Sequence, residues 1–277
     1  MMGSESDGFK RRYGPWALIA GASVGLGAAF AAELAQRGLN LVLIARRPGP
    51  LESRSTELED KYGVSVKNIS MDLAAPDMLE TIVSETNQLD IGLLVYDTAY
   101  MLIGPFLGHS VESHLRAIDV NCRGPLMLAH HFGQQMSARK RGGIILMTSL
   151  SGMQGAPWLA SYGATKAFNI VLAEGLWYEL KPHGVDVMAC CAGAIETPNY
   201  TSSNPASLGF FAPKPLTVDK VAHDAIAALG SKPLLIPGGA YRASQTLLER
   251  FASRKRRITI MGNSTEKMYG DRRVTLN

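Results

Sequence analysis

Short apolar runs alternate along this chain with longer segments whose apolar positions recur at helical spacing. This is the pattern of a parallel sheet whose strands are joined by crossover helices. Residues 16–20, 40–44, 64–70, 91–96, 143–148, 185–191 and 234–237 read as strands. Residues 26–36, 50–62, 76–87, 111–136, 161–181 and 218–229 read as helices. Seven strands with helices on both faces predict an α/β architecture: a Rossmann-type, doubly wound, seven-stranded parallel sheet in three αβα layers.

No repeat or linker divides the chain, so residues 1–277 are expected to form one domain with its core over about 14–240. The stretch 197–215 fits no regular element: it holds four prolines, several Ser and Asn residues, and Phe210-Phe211. A loop this long in a compact domain is usually functional or mobile.

Composition narrows the class. The chain is 46% hydrophobic and 19% charged, the balance of a globular protein and not of a disordered or fibrous one. Its three cysteines, Cys122, Cys190 and Cys191, offer no disulfide framework and no CxxC metal or redox motif. A reducing, cytoplasmic setting is expected. Residues 1–12 lack the apolar core of a signal peptide, and the longest apolar stretch, 91–107, is too short and too interrupted to span a membrane.

The net charge of +4 is unevenly placed. From Tyr241 onward nine Lys or Arg face three acids, so 241–277 reads as a basic carboxyl-terminal extension. A solvated surface helix and tail explains it, with peripheral contact to an acidic lipid surface as the alternative. Nucleic acid is excluded as a partner, because no aromatic residues alternate with the basic ones and no nucleic-acid-binding motif appears.

Candidate chemistry begins after the first strand, at Gly21-Ala22-Ser23-Val24-Gly25-Leu26-Gly27. Glycines permit a sharp turn and close approach of a ligand, and the helix that follows offers free N–H groups and a positive dipole end to a pyrophosphate. At the end of the second strand an acid would hold a ribose hydroxyl and a base would accept a 2′-phosphate. The chain has Arg46 and Arg47 there and no acid, which favours NADP over NAD; two solvated surface arginines are the other reading. Asp72, after the third strand, suits an adenine amino group or a helix N-cap equally.

The second constellation is Tyr162-Gly163-Ala164-Thr165-Lys166, which places a phenol and an ammonium on one helix face, a turn apart. Carbonyl reduction delivers a proton to oxygen as hydride reaches carbon. A nearby cation that favours the phenolate would lower the tyrosine pKa toward that task. Ser149 lies thirteen residues before Tyr162, at the carboxyl end of an apolar strand, where open α/β sheets bind ligands. Its hydroxyl suits a developing negative charge, and Ser151 is a near alternative.

Together these motifs resemble the short-chain dehydrogenase/reductase family over roughly residues 14–240, in particular its 3-oxoacyl and hydroxysteroid reductase branch. The resemblance implies an NADP(H)-dependent oxidoreductase that interconverts a ketone and a secondary alcohol. It adds Asn121, in Val120-Asn121-Cys122, as the residue that kinks its helix and supports a proton relay through Lys166, completing a catalytic set of Asn121, Ser149, Tyr162 and Lys166. It implies cofactor contacts from Gly21, Ser23, Gly25, Leu26, Gly27, Arg46, Arg47, Asp72, Leu73 and Ala99. Tyr162, Lys166, Ile195 and Thr197 would complete them around the nicotinamide. It places the substrate lid at 198–215, where Leu208, Phe210, Phe211 and Leu216 fit a cover for an apolar substrate, or else core or oligomer contacts. It also implies a homodimer or homotetramer.

Three departures stand out: Ala20 for a frequent threonine, Tyr96-Asp97-Thr98-Ala99 for a common Asn-Asn-Ala-Gly, and Ala192-Gly193 for Pro-Gly. A non-catalytic NADP-binding sensor or scaffold would explain them, but not the joint presence of Asn121, Ser149, Tyr162 and Lys166. An epimerase or dehydratase would need more chain after the last strand than the roughly forty residues present.

Overall fold

A computed structural model describes residues 2–203 and 213–270, without the side chains of 2–6 and 199. Seven strands form one parallel sheet: β1 (Trp16–Ala20), β2 (Asn40–Ala45), β3 (Val66–Ser70), β4 (Ile91–Tyr96), β5 (Gly142–Ser149), β6 (Val185–Ala192) and β7 (Leu234–Leu235). Their order is β3-β2-β1-β4-β5-β6-β7, so the winding reverses between β1 and β4. A crevice opens at that switch point, outside the carboxyl ends of the strands.

The strands are apolar almost throughout because both faces are covered. Helices α2 (Gly25–Gln36), α3 (Pro48–Tyr62) and α9 (Val218–Ala228) pack one core around Phe30, Leu34 and Val221. On the other face lie α4 (Met78–Thr86), α6 (Gly124–Arg139) and α7 (Ala160–Leu180), around Ile82, Phe132 and Ala173. Helix α1 (Met2–Tyr13) is pinned to β6, where Asp186 accepts two bonds from Arg12, at 2.6 and 2.8 Å, and one from Tyr13 at 2.6 Å.

The helix expected over 111–136 is broken. Helix α5 (Val111–Ile118) passes through a π turn (Asp119–Arg123) into α6, and Asn121 sits in that turn, fully buried. A π turn leaves carbonyls without their usual helical partners. Here the Tyr96 hydroxyl donates to Val120 O at 2.5 Å, and Asn169 Nδ2 donates to Asn121 O at 2.8 Å.

The basic extension is more than a solvated helix and tail. Helices α10 (Gly239–Phe251) and α11 (Arg254–Tyr269) fold back toward the crevice. Arg242, Arg250, Lys255 and Arg256 face outward, while Tyr241, Gln245, Thr265 and Tyr269 are buried. Helix α8 (Pro198–Ser202) begins the expected lid; Leu208, Phe210 and Phe211 fall outside the described residues, and Leu216 packs against the first core.

Candidate active site

The glycine turn joins β1 to α2 and lines one end of a cavity of about 1080 Å³. Gly21 adopts φ +101°, a conformation that only glycine takes readily, and a Cβ there would come within 2.8 Å of Thr98 Oγ1. At Gly27 a Cβ would overlap the Gly21 carbonyl, so no side chain fits between turn and helix. Val24 caps α2 without a side-chain bond; Gly25 and Leu26 of the first turn line the cavity, while the Gly27 N–H donates to the Asp97 carboxyl. The Thr98 hydroxyl is buried beside the glycine turn with no hydrogen-bond partner among the described residues. A cradle closed to side chains, edged by the first two residues of α2, fits a dinucleotide pyrophosphate.

Most expected cofactor contacts line this cavity: Gly21, Ser23, Gly25, Leu26, Arg46, Arg47, Asp72, Leu73, Ala99, Tyr162, Ile195 and Thr197. Gly27 and Lys166 stand behind the wall. Asp72 does not face the cavity as a free group: Oδ1 accepts the Ala74 N–H at 3.0 Å and Oδ2 accepts Arg116 at 2.5 Å. Those bonds outweigh its desolvation and hold its carboxyl below the ordinary range.

Two of the three departures from the family pattern have local explanations. Ala20 O accepts the N–H groups of Asp97 at 2.9 Å and Thr98 at 3.0 Å, so backbone bonds join β1 to β4 where a threonine hydroxyl is absent. Tyr96 serves the π turn. Burial drives the Asp97 pKa upward, opposed by the Lys166 ammonium and the Gly27 amide.

Ser149 ends β5, and Tyr162 and Lys166 begin α7, so a strand end and a helix start meet across the crevice. Ser149 Oγ accepts the Ser151 amide at 3.2 Å and its hydroxyl at 3.0 Å, which orients Ser149 and gives Ser151 a supporting position. The Tyr162 and Ser149 hydroxyls interact. Lys166, 3% exposed, donates from Nζ to Met147 O at 2.7 Å, and its ammonium lies 5.6 Å from the Tyr162 ring centroid.

The expected lowering of the tyrosine pKa by Lys166 is not what this site shows. Burial pushes the Tyr162 phenol above its ordinary value, and only the contact with Ser149 opposes it. The same burial pushes Lys166 below its ordinary value. Desolvation acts on both groups because the site is closed by protein on most sides.

Asn121 does not line the cavity. Its side chain accepts the Tyr100 amide at 2.7 Å and donates to Tyr100 O at 2.9 Å and Thr165 Oγ1 at 3.0 Å. Thr165 in turn donates to Tyr162 O at 2.8 Å. One buried amide thus ties the loop after β4 to the helix turn that carries the phenol.

The far wall belongs to residues not expected from sequence. Met101, Gln154 and Leu159 line it with Gln245, Leu248, Arg257, Ile260, Met261, Met268 and Tyr269 from α10 and α11. The helical spacing of Met261, Thr265 and Met268 was the one available signal, and it marks an apolar stripe without saying what the stripe covers.

Comparison with known proteins agrees with this geometry. The family model for short chain dehydrogenase matches residues 15–207. A 7beta-hydroxysteroid dehydrogenase from Collinsella aerofaciens is 32% identical over 231 residues, covering 83% of this chain and 88% of that protein. A solved structure from a study of 7beta-hydroxysteroid dehydrogenase stereoselectivity superposes with a TM-score of 0.85 at 29% identity, covering 91% of this chain and 98% of the other. A short-chain dehydrogenase from Sphingobium yanoikuyae in complex with NADPH gives 0.76 at 29% identity, covering 85% and 92%. The chain belongs to the short-chain dehydrogenase family and is an oxidoreductase acting on CH–OH groups.

Proposed function

We propose that the chain reduces a hydrophobic ketone to a secondary alcohol, or runs the reverse oxidation, with NADP(H) in the glycine cradle and Asn121, Ser149, Tyr162 and Lys166 as its working residues. The observation that carries this reading is the convergence of Ser149 and Tyr162 on one cavity whose opposite end is the glycine turn at the start of α2. Gly21, Ser23, Gly25 and Leu26 hold the pyrophosphate. Arg46 and Arg47 accept the 2′-phosphate, and Asp72, Leu73 and Ala99 border the adenosine half. Ile195 and Thr197 flank the nicotinamide.

Bound NADPH supplies the hydride. Ser149 Oγ, oriented by Ser151, holds the substrate oxygen and its growing negative charge. The buried Tyr162 phenol stays protonated at neutral pH and gives its proton to that oxygen. Lys166, fixed by Met147 O, places positive charge beside the phenolate that remains. Asn121 keeps the Tyr162 turn and the Tyr100 loop in register.

The wall of Leu159, Leu248, Met261 and Met268 suits an apolar substrate body, as does the similarity to hydroxysteroid dehydrogenases. The described ends of the expected lid, Pro198 and Tyr200 on one side and Pro213 and Pro215 on the other, border the same cavity. Helices α5 and α7 expose Val111, Leu115, Ile118, Phe168, Val171 and Tyr178, a face that a homodimer or homotetramer would cover. Three free cysteines fit a cytoplasmic setting, and no described helix is long and apolar enough to cross a membrane. The sensor or scaffold alternative has no observation in its favour.

Steady-state assays of NADPH oxidation against a ketone panel test this reading. Steroid and long-chain ketones should give kcat/KM at least tenfold above small polar ketones, and the reverse ranking would reject the apolar substrate.

A further inference from the structure

We propose that Arg257 is an anion-binding residue of the substrate cavity, and that the natural substrate is an apolar ketone or alcohol bearing a carboxylate. The apolar part of this inference rests on the proposed function; the acidic part rests on Arg257 itself.

The placement of Arg257 follows from how α11 is docked. Arg254 donates from Nη1 to Met153 O at 3.4 Å, and Ile258 lies 3.5 Å from where a Cβ on Gly155 would stand. Helical spacing puts Arg254, Arg257, Ile258 and Met261 on one face of α11, the face that lies over the 153–157 turn. Arg257 and Met261 both line the cavity, together with Gln154 from that turn.

The guanidinium is unmatched there. Arg257 Nε is buried with no hydrogen-bond partner, and no ion pair to Arg257 exists among the described residues. The acids that line the cavity, Asp72 and Asp97, sit at the cofactor end with Arg116 and Gly27 as partners.

A buried polar nitrogen without a partner is costly, and this one stands in the wall of a cavity where a ligand can satisfy it. Arginine presents a rigid fork of donors that matches a carboxylate in two parallel bonds. Gln154 Oε1, also buried and unpartnered, adds an acceptor on the same wall for a ligand hydroxyl. The surrounding Ile260, Met261 and Met268 leave an apolar body as the rest of the ligand.

The test is calorimetric titration of a steroid ketone bearing a side-chain carboxylate, and of its methyl ester, with and without NADP+. NADP+ carries no hydride to the ketone, so binding is read without turnover. The acid should bind about 10- to 100-fold tighter than the ester, the range of a charge-assisted pair. Arg257→Gln should abolish that preference and leave ester affinity unchanged. Arg257→Lys, which keeps the charge and the apolar stem, should weaken the preference without removing it, and serves if the first variant does not fold. Equal binding of acid and ester, or a preference that survives Arg257→Gln, would overturn the inference. An acid preference without reduction of either ketone by NADPH would remove the proposed reductase substrate and support the role of Arg257.

Discussion

Tyr96 donates its hydroxyl proton to the Val120 carbonyl oxygen at 2.5 Å, in space that exists because Gly124 has no side chain. The bond satisfies a carbonyl that the π turn frees, one residue before Asn121. A departure from the family pattern at the end of β4 is therefore coupled to the kink that positions a working residue.

Tyr96→Phe keeps the ring and deletes the bond. A buried carbonyl left unpaired costs about 1–3 kcal/mol, so thermal unfolding should shift down by several degrees. Because Asn121 loses its neighbour's anchor, kcat should fall more than KM changes. An unchanged Tm would show that another group satisfies Val120 O.

The pH profile of ketone reduction should carry the mark of Lys166. Burial lowers its pKa below the ordinary 10.5, so the ammonium is present at neutral pH and is lost as pH rises through the lowered value. Loss of that charge leaves the Tyr162 phenolate unsupported, and kcat/KM should decline on the alkaline side before pH 10.5. Arg does not deprotonate in this range, so Lys166→Arg should be slower but lack the decline. A wild-type profile flat to pH 10.5 would contradict this assignment.

Arg46 and Arg47 border the cavity at the end of β2 and are both exposed. Replacing both with alanine should raise the NADPH dissociation constant about 10- to 100-fold, as expected for loss of charge-assisted bonds, and leave NADH almost unaffected. Equal weakening of both cofactors would assign these arginines to folding instead of phosphate recognition.

What the sequence made legible was what local pattern determines. Trp16–Ala20 and Ile91–Tyr96 are strands as read, because continuous apolar runs bounded by turn residues have few other uses. Ser149, Tyr162 and the glycine turn meet around one cavity as their spacing implied. Effects set by distant partners were hidden. The third strand starts at Val66 and not at 64, since the Ser65 amide bonds the Asn40 side chain at 3.0 Å. Helical period alone did not show the π turn within 111–136. The signals were the kink that the family resemblance placed at Asn121 and Pro125, which has no N–H to give, while the partners of the freed carbonyls, Tyr96 and Asn169, lie on other elements. The balance that raises Tyr162 depends on burial, which a Tyr-x-x-x-Lys spacing does not encode. The basic extension 241–277 was likewise read as a solvated surface helix and tail, because charge counts do not show that Arg257 and Met261 reach the cavity.

The central claim is that the Tyr162 phenol delivers the proton, and Tyr162→Phe tests it most directly. Stopped-flow reduction of a steroid ketone by NADPH should slow by about 10²- to 10⁴-fold, the share of a positioned general acid, with the NADPH dissociation constant unchanged within about twofold. A Tyr162→Phe variant that still reduces the ketone at the wild-type rate would contradict the account.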